Sequence, residues 1–186
     1  MSFKIVVIGT SLGGLSALKI LLVNLPADFP VPIAIVQHRH KEGSNTLKEL
    51  LQESTSLLIR EVEDKDEILP RHIYLAPADY HLLVELGHFA LSTDELVSYA
   101  RPSIDVLFES AADIYTEQVI GVILTGANQD GVQGLKKIKA RGGLAIVQEP
   151  ATAESCVMPQ AAISAIAVDW ILTLKDIASQ MVKLCH

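Results

Sequence analysis

No apolar run in this chain approaches the roughly 20 residues that a membrane-spanning helix requires, so no bilayer insertion is expected. Basic residues are scarce as well: 15 Lys and Arg face 22 Asp and Glu, for a net charge of −7. They are scattered along the chain, whereas a nucleic-acid surface wants them gathered into a stripe. Cysteine is nearly missing. Cys156 and Cys185 lie far apart and in no motif, which excludes a disulfide scaffold and suits a reducing cytoplasm. The opening Met-Ser-Phe-Lys runs into a strand without an apolar leader, so no secretory signal is expected. There is no internal repeat, linker or low-complexity tract. What remains is a chain of 186 residues, 49% hydrophobic and 20% charged. That suffices for a single globular domain over 1–186 with a three-layer core.

The most informative stretch comes first. Ile5 to Ile8 are four consecutive β-branched residues and read as a fully buried parallel strand. Gly9, Gly13 and Gly14 permit a tight turn, and Leu15 to Leu25 follow with the apolar spacing of a helix. A dinucleotide fingerprint would need glycine where Ser11 stands, and an acidic residue after the second strand where Gln37-His38 stands. A phosphate loop would need lysine directly after Gly14. The pattern that fits is Gly9-x-Ser11-x-Gly13, a nucleophile elbow that presents a hydroxyl beside a helix N-terminus. An ordinary helix-capping serine is the plainer alternative.

Further along, Ile33–Gln37 reads as a second buried strand, and Ser44 or Asn45 as the cap of a helix reaching Gln52. Leu57–Val62 and Ile73–Ala76 read as short strands flanking an acidic solvated loop. Leu82–Leu86 and Phe89–Ser92 form a hairpin about Gly87-His88. Pro102 opens a helix to Tyr115, and Val119–Leu124 is the next buried strand. A turn-rich loop through Asp130 leads into a helix that Gly142-Gly143 ends. Then come a strand at Leu144–Gln148, a helix from Pro159, a strand at Val168–Leu172 and a last helix behind the capping box Thr173-x-x-Asp176. This alternation predicts an α/β fold: a three-layer αβα doubly wound domain with a mainly parallel sheet and one small antiparallel hairpin.

Ligands of such sheets bind at the carboxyl ends of the strands. Ser11, His38 and Asp130 all fall there. A serine hydroxyl needs a base, histidine titrates in the right range to be one, and a carboxylate can fix the imidazole tautomer. Structural roles remain open for each: His38 as a strand-end histidine, Asp130 as a turn residue. His38-x-His40 could also be half a metal site, completed from Asp79 or His81. No third ligand stands out by spacing, and no metal is expected.

Six motifs, in order, carry a resemblance. Ile8-Gly-Thr-Ser-Leu-Gly-Gly14, Val36-Gln-His38, Tyr74-Leu-Ala-Pro-Ala-Asp-Tyr-His-Leu82 and Arg101-Pro-Ser-Ile-Asp-Val-Leu-Phe108 are four of them. Gly121-Val-Ile-Leu-Thr-Gly126 through Asp130-Gly131 is the fifth, and Gln148-Glu149 with Met158-Pro159 the sixth. Together they resemble the catalytic domain of the chemotaxis protein-glutamate methylesterase (CheB) family, nearly end to end.

The resemblance implies hydrolysis of glutamate γ-methyl esters on the cytoplasmic helices of chemoreceptors, and often deamidation of receptor glutamines. It implies Ser11 as nucleophile, His38 as base and Asp130 as the orienting carboxylate. Backbone N–H groups after Ser11 and near Ala127 are the expected oxyanion donors, with no cofactor or metal. A cytoplasmic location follows. His81 and Arg101 fall in family motifs, with catalytic and structural roles both open. Arg39, Lys41 and Arg101 could guide docking of an acidic partner.

Two features depart from the family. Ala127-Asn128 stands where it has Met-Gly, and the chain begins at the catalytic strand, where a familiar member carries a receiver domain. A separate receiver or other regulatory protein is one expectation from that. A glutamine amidase, a serine esterase of other specificity, and a catalytically inactive chemosensory binding module are the competing readings. Nicotinamide or nucleotide binding is a weaker one.

Overall fold

The computed structural model describes residues 2–39 and 46–186. Among the described residues seven parallel strands form one sheet in the order β3-β4-β2-β1-β7-β8-β9. They are β1 (Ile5–Thr10), β2 (Ile33–Gln37), β3 (Leu58–Glu61), β4 (His72–Leu75), β7 (Val119–Ile123), β8 (Leu144–Gln148) and β9 (Trp170–Leu172). Two further strands, β5 (His81–Glu85) and β6 (His88–Ser92), pair as a separate antiparallel hairpin. The helices are α1 (Gly14–Val23), α2 (Leu47–Gln52), α3 (Ile104–Tyr115), α4 (Val132–Ala140), α5 (Val157–Ala165) and α6 (Leu174–Cys185). This is the expected three-layer architecture.

Alternation along β1 divides the core. Ile5 and Val7 face Leu107 and Phe108 of α3, Leu135 and Ile138 of α4, and the hairpin's Leu82 and Phe89. Val6 and Ile8 face Leu18 and Leu22 of α1, Leu51 of α2, and Ile177 and Met181 of α6. A strand covered on both faces needs apolar residues at every position, which is why β1 carries no polar–apolar alternation. The chain winds from β1 out to β2 on one side and later to β7 on the other. The strand order therefore reverses at β1, and the crevice above its carboxyl end lies at the switch point.

Several local expectations shift. The hairpin loop is Leu86-Gly87 rather than Gly87-His88, because Glu85 pairs with His88. Gly87, with φ +81°, takes the second loop position, where only glycine is unstrained. Pro102 does not open α3: Ser103 is its N-cap and Ile104 its first residue. α5 starts at Val157, two residues before Pro159, which sits in the first turn where a missing N–H costs nothing. The Thr173 hydroxyl does accept from Asp176 N–H, at 3.4 Å, and donates to the Asp176 carboxylate at 2.7 Å. The proposed caps Ser44 and Asn45, with His40 and Lys41, lie outside the described residues.

Both cysteines are free. Burial pushes the Cys185 thiol up to about 12, which leaves it protonated and unreactive.

α3 and α4 meet at a close approach. A Cβ placed on Gly134 would fall 2.4 Å from Phe108 Cβ and 3.1 Å from the Asp105 carbonyl oxygen. Gly134→Ala is therefore expected to push the two helices apart and to destabilise the fold by about 1–3 kcal/mol. Thermal denaturation checks this, and an unchanged Tm would show that the crossing can relax without cost.

Candidate active site

Three neighbouring strands deliver three side chains to the crevice. Ser11 is the first residue past β1, His38 the first past β2, and Asp130 lies in the loop between β7 and α4. The Ser11 turn is held from every side. Its N–H donates to Thr125 O at 3.0 Å, and its carbonyl accepts from Gly14 N–H at 3.0 Å and from Gln37 Nε2 at 2.8 Å. Gly13 takes φ +79° as the N-cap of α1. At Gly14 a Cβ would lie 1.8 Å from Gln37 Oε1 and 2.7 Å from Thr10 Oγ1. The paired glycines thus answer two separate demands, one of backbone conformation and one of space.

Asp130 is buried, with a side chain that has no exposed surface. Its carboxylate accepts four hydrogen bonds. Oδ2 takes His38 Nε2–H and the Ile104 N–H, each at 2.7 Å, and Oδ1 takes the Ser103 hydroxyl at 2.8 Å and the Asp105 N–H at 3.0 Å. Ser103, Ile104 and Asp105 are the N-cap and first two residues of α3, so the carboxylate sits on that helix's positive end. Burial alone would push its pKa up. The hydrogen bonds from His38 and from the Asp105 and Ile104 backbone outweigh that and hold it below the usual carboxylate range.

Asp105 makes the reciprocal contact. Its Oδ1 accepts the Gly134 N–H at 2.8 Å, in the first turn of α4. Each helix therefore has its first turn capped by a carboxylate from the other helix's entry. Burial is the main cause that raises Asp105 to about 6; the Gly134 hydrogen bond opposes it, while Asp130 and Glu109 add to it.

His38 is turned so that Nε2 meets Asp130 and Nδ1 faces the serine side. Nδ1 lies 3.0 Å from Asn128 Nδ2, and the same Nδ2 lies 3.5 Å from Ser11 Oγ. Asn128 Oδ1 accepts the Asp130 N–H at 3.0 Å. That contact assigns the amide: its oxygen points to Asp130 and its NH₂ to His38 and Ser11. An NH₂ can only donate, so Nδ1 is the unprotonated nitrogen and Nε2–H is the proton given to Asp130. Among the described residues no hydrogen bond joins Ser11 Oγ to His38 directly.

His81 and Arg101, left open by sequence, are structural. His81 is buried, its Nε2 2.8 Å from Glu95 O while Nδ1 accepts the Ser103 N–H at 3.2 Å. Both nitrogens are therefore engaged. Arg101 grips Asp79 Oδ1 at 2.7 Å and the carbonyls of Thr93 and Asp94 at 2.8 and 2.9 Å. Arg39 pairs with Glu61 at 2.6 Å. Among the described residues no cluster of three His, Cys, Asp or Glu could hold a metal ion.

Above Ser11 opens a groove of about 800 Å³, floored by Ser11–Leu15 and walled by His38, Arg39, Asn128 and the segment 96–102. Sequence reasoning noted Asn128 only as a departure from a motif. An asparagine two residues before the aspartate, in a loop entering a helix, is the available signal, because it closes an Asx turn.

The CheB methylesterase family model matches residues 6–181. A putative protein-glutamate methylesterase/protein-glutamine glutaminase of Leptospira interrogans serogroup Icterohaemorrhagiae serovar copenhageni is 48% identical, over 99% of this chain and 96% of its own. The protein-glutamate methylesterase/protein-glutamine glutaminase of Thermotoga maritima is 35% identical, over 99% of this chain and 55% of its own. The crystal structure of the Thermotoga maritima CheB methylesterase catalytic domain superposes with a TM-score of 0.94 at 36% identity, covering 99% of this chain and all of that one. This chain thus spans nearly the whole Leptospira relative and about half of the Thermotoga protein.

The two carboxylates at the helix entries pull stability in opposite directions with pH. Asp130, held low, stabilises the fold above the ordinary carboxylate range and loses that contribution as pH falls. Asp105 is raised to about 6, so the folded state holds its proton more tightly than the unfolded one. Its contribution is complete below the unfolded value and lost as pH rises towards 6. Asp105→Asn keeps the acceptor for Gly134 and removes the titration. The variant's Tm relative to the native chain is expected to climb between about pH 4 and pH 7; a difference that stays flat over that range would contradict the assignment.

Proposed function

The chain belongs to the CheB methylesterase family, and from that premise we propose that it hydrolyses glutamate γ-methyl esters on chemoreceptor cytoplasmic helices, with Ser11 as nucleophile, His38 as base and Asp130 as the carboxylate that orients His38. The observation that carries this reading is the 2.7 Å contact between His38 Nε2 and the fully buried Asp130 carboxylate, made with Nδ1 turned to the Asn128 amide that also reaches Ser11 Oγ. The imidazole is the reverse of the usual arrangement, with Nδ1 as the base, and the roles are unchanged.

Ser11 Oγ attacks the γ-carbonyl carbon while its proton passes to His38. The tetrahedral intermediate collapses, methanol leaves with that proton, and water releases the acyl group by the same route. A primary amide would lose ammonia along this path, which accords with the glutaminase half of the relatives' names.

The rim of the groove offers apolar surface to a protein substrate. Ser98 and Tyr99, with φ of 51° and 62°, turn the chain between the bridged residues Val97 and Ala100. Leu96 and Tyr99 are thereby held 58% and 98% exposed on the groove's rim, braced below by Arg101 and His81. Arg39 and Arg101 are engaged in ion pairs, so apolar contact at the rim is the stronger basis for recognition.

Methanol release from methylated chemoreceptor cytoplasmic fragments tests the proposal. The native chain is expected to release methanol and Ser11→Ala to release none above background. A native chain inert towards methylated receptors of its own organism, or a Ser11→Ala variant of undiminished activity, would sink it.

A further inference from the structure

Asn128 sits between nucleophile and base, anchored through its oxygen and presenting two N–H bonds to the reacting groups. We propose, on the reading of Ser11 and His38 just given, that Asn128 is a catalytic residue: its side-chain N–H rests on the lone pair of His38 Nδ1 and is handed to the oxyanion when His38 takes the Ser11 proton.

An amide NH₂ cannot relay a proton, so the Asn128 N–H has to give up the Nδ1 lone pair as the Ser11 proton arrives there. Proton transfer itself supplies the cause. As Ser11 Oγ forms its bond to the ester carbon, its proton goes to Nδ1 and the carbonyl π pair moves onto the oxygen. Nδ1 is then a donor, and two donors repel. At the same moment a full negative charge develops on the former carbonyl oxygen, attached to the carbon that Oγ has just bonded. Asn128 Nδ2 stands 3.5 Å from Oγ, so a small rotation about its anchored oxygen brings the N–H within the roughly 2.7–3.1 Å that an oxyanion donor requires. When the C=O bond reforms, the methoxy oxygen takes the Nδ1 proton and departs as methanol, and the amide returns to the lone pair.

The contact with the oxyanion exists only around the transition state, so it lowers the barrier rather than tightening substrate binding. The anchor limits reorganisation, because the Asx contact with the Asp130 N–H at 3.0 Å need not break. The same side chain also holds Nδ1 free of a proton in the resting enzyme, through the donor it offers.

Two variants separate this role from mere support of the loop. Asn128→Ala removes both the anchor and the donor. Asn128→Asp keeps an oxygen for the Asp130 N–H and loses the donor. Both are assayed with the native chain and Ser11→Ala for methanol release from methylated receptor fragments and for hydrolysis of p-nitrophenyl acetate. Each Asn128 variant is expected to lose about 10²–10³-fold in kcat, with KM nearly unchanged. Affinity for a trifluoromethyl ketone, whose adduct on Ser11 carries an oxyanion, falls in parallel. Either variant keeping native kcat on both substrates overturns the proposal, as does a loss confined to KM. A native chain that hydrolyses p-nitrophenyl acetate through Ser11 but leaves methylated receptors untouched defeats the substrate reading alone, and the Asn128 result is then read on the small ester. A native chain inactive on both defeats the two together.

Discussion

The site depends on one buried charge. The Asp130 carboxylate has no exposed surface and survives as an anion because four donors converge on it, three of them from the entry of α3. An anion this deep is costly unless every lone pair is met. Met in this way, it becomes a fixed point at which a helix end, a strand-end histidine and the loop after β7 share one geometry. Removing the carboxylate would strand the Ile104 and Asp105 N–H groups, the Ser103 hydroxyl and His38 at once. Losses of this kind run on the order of 3–5 kcal/mol.

Packing follows from that point outward. Asp105, whose N–H serves Asp130, spends its own carboxylate on the Gly134 N–H, so α3 and α4 are tied entry to entry. The tie demands a close crossing, and Gly134 is the residue that allows it. On the outer side, His81 accepts the Ser103 N–H and reaches the Glu95 carbonyl. With the Ser103 hydroxyl donating to Asp130, the rim of the groove is thereby connected to the carboxylate through three hydrogen bonds. The Ser11–His38–Asp130 arrangement and the rim of the groove are thus fastened to the same helix entry. Positioning by a rigid scaffold in this way is what keeps reacting atoms within a useful fraction of an ångström.

Much of this was legible in the sequence because it is local or periodic. The β-branched run of β1, the glycines about Ser11, and the strand ends at His38 and Thr125 each announce themselves within a few residues. Their convergence follows from the parallel α/β rule, which brings neighbouring strand ends to one edge. The Asp130 cap was not legible. Its partners lie 25 to 27 residues away in sequence, and no spacing rule links a loop aspartate to another helix's first turn. Asn128 was visible only as an anomaly, since its meaning lies in the orientation of an imidazole that sequence leaves undetermined. The misplaced starts of α3 and α5 have a common cause. Proline marks the neighbourhood of a helix N-terminus, while the actual start is set by where the first-turn N–H groups find acceptors.

Covalent labelling reads out directly whether Ser11 is a nucleophile activated by His38 and Asp130. A fluorophosphonate reacts with a serine only when its hydroxyl is activated, and mass spectrometry of the digested protein locates the adduct. A single adduct on Ser11 is expected in the native chain, and its loss in both His38→Ala and Asp130→Ala under conditions where circular dichroism shows each variant folded. An adduct elsewhere, or Ser11 labelling at the native rate without His38, would contradict it.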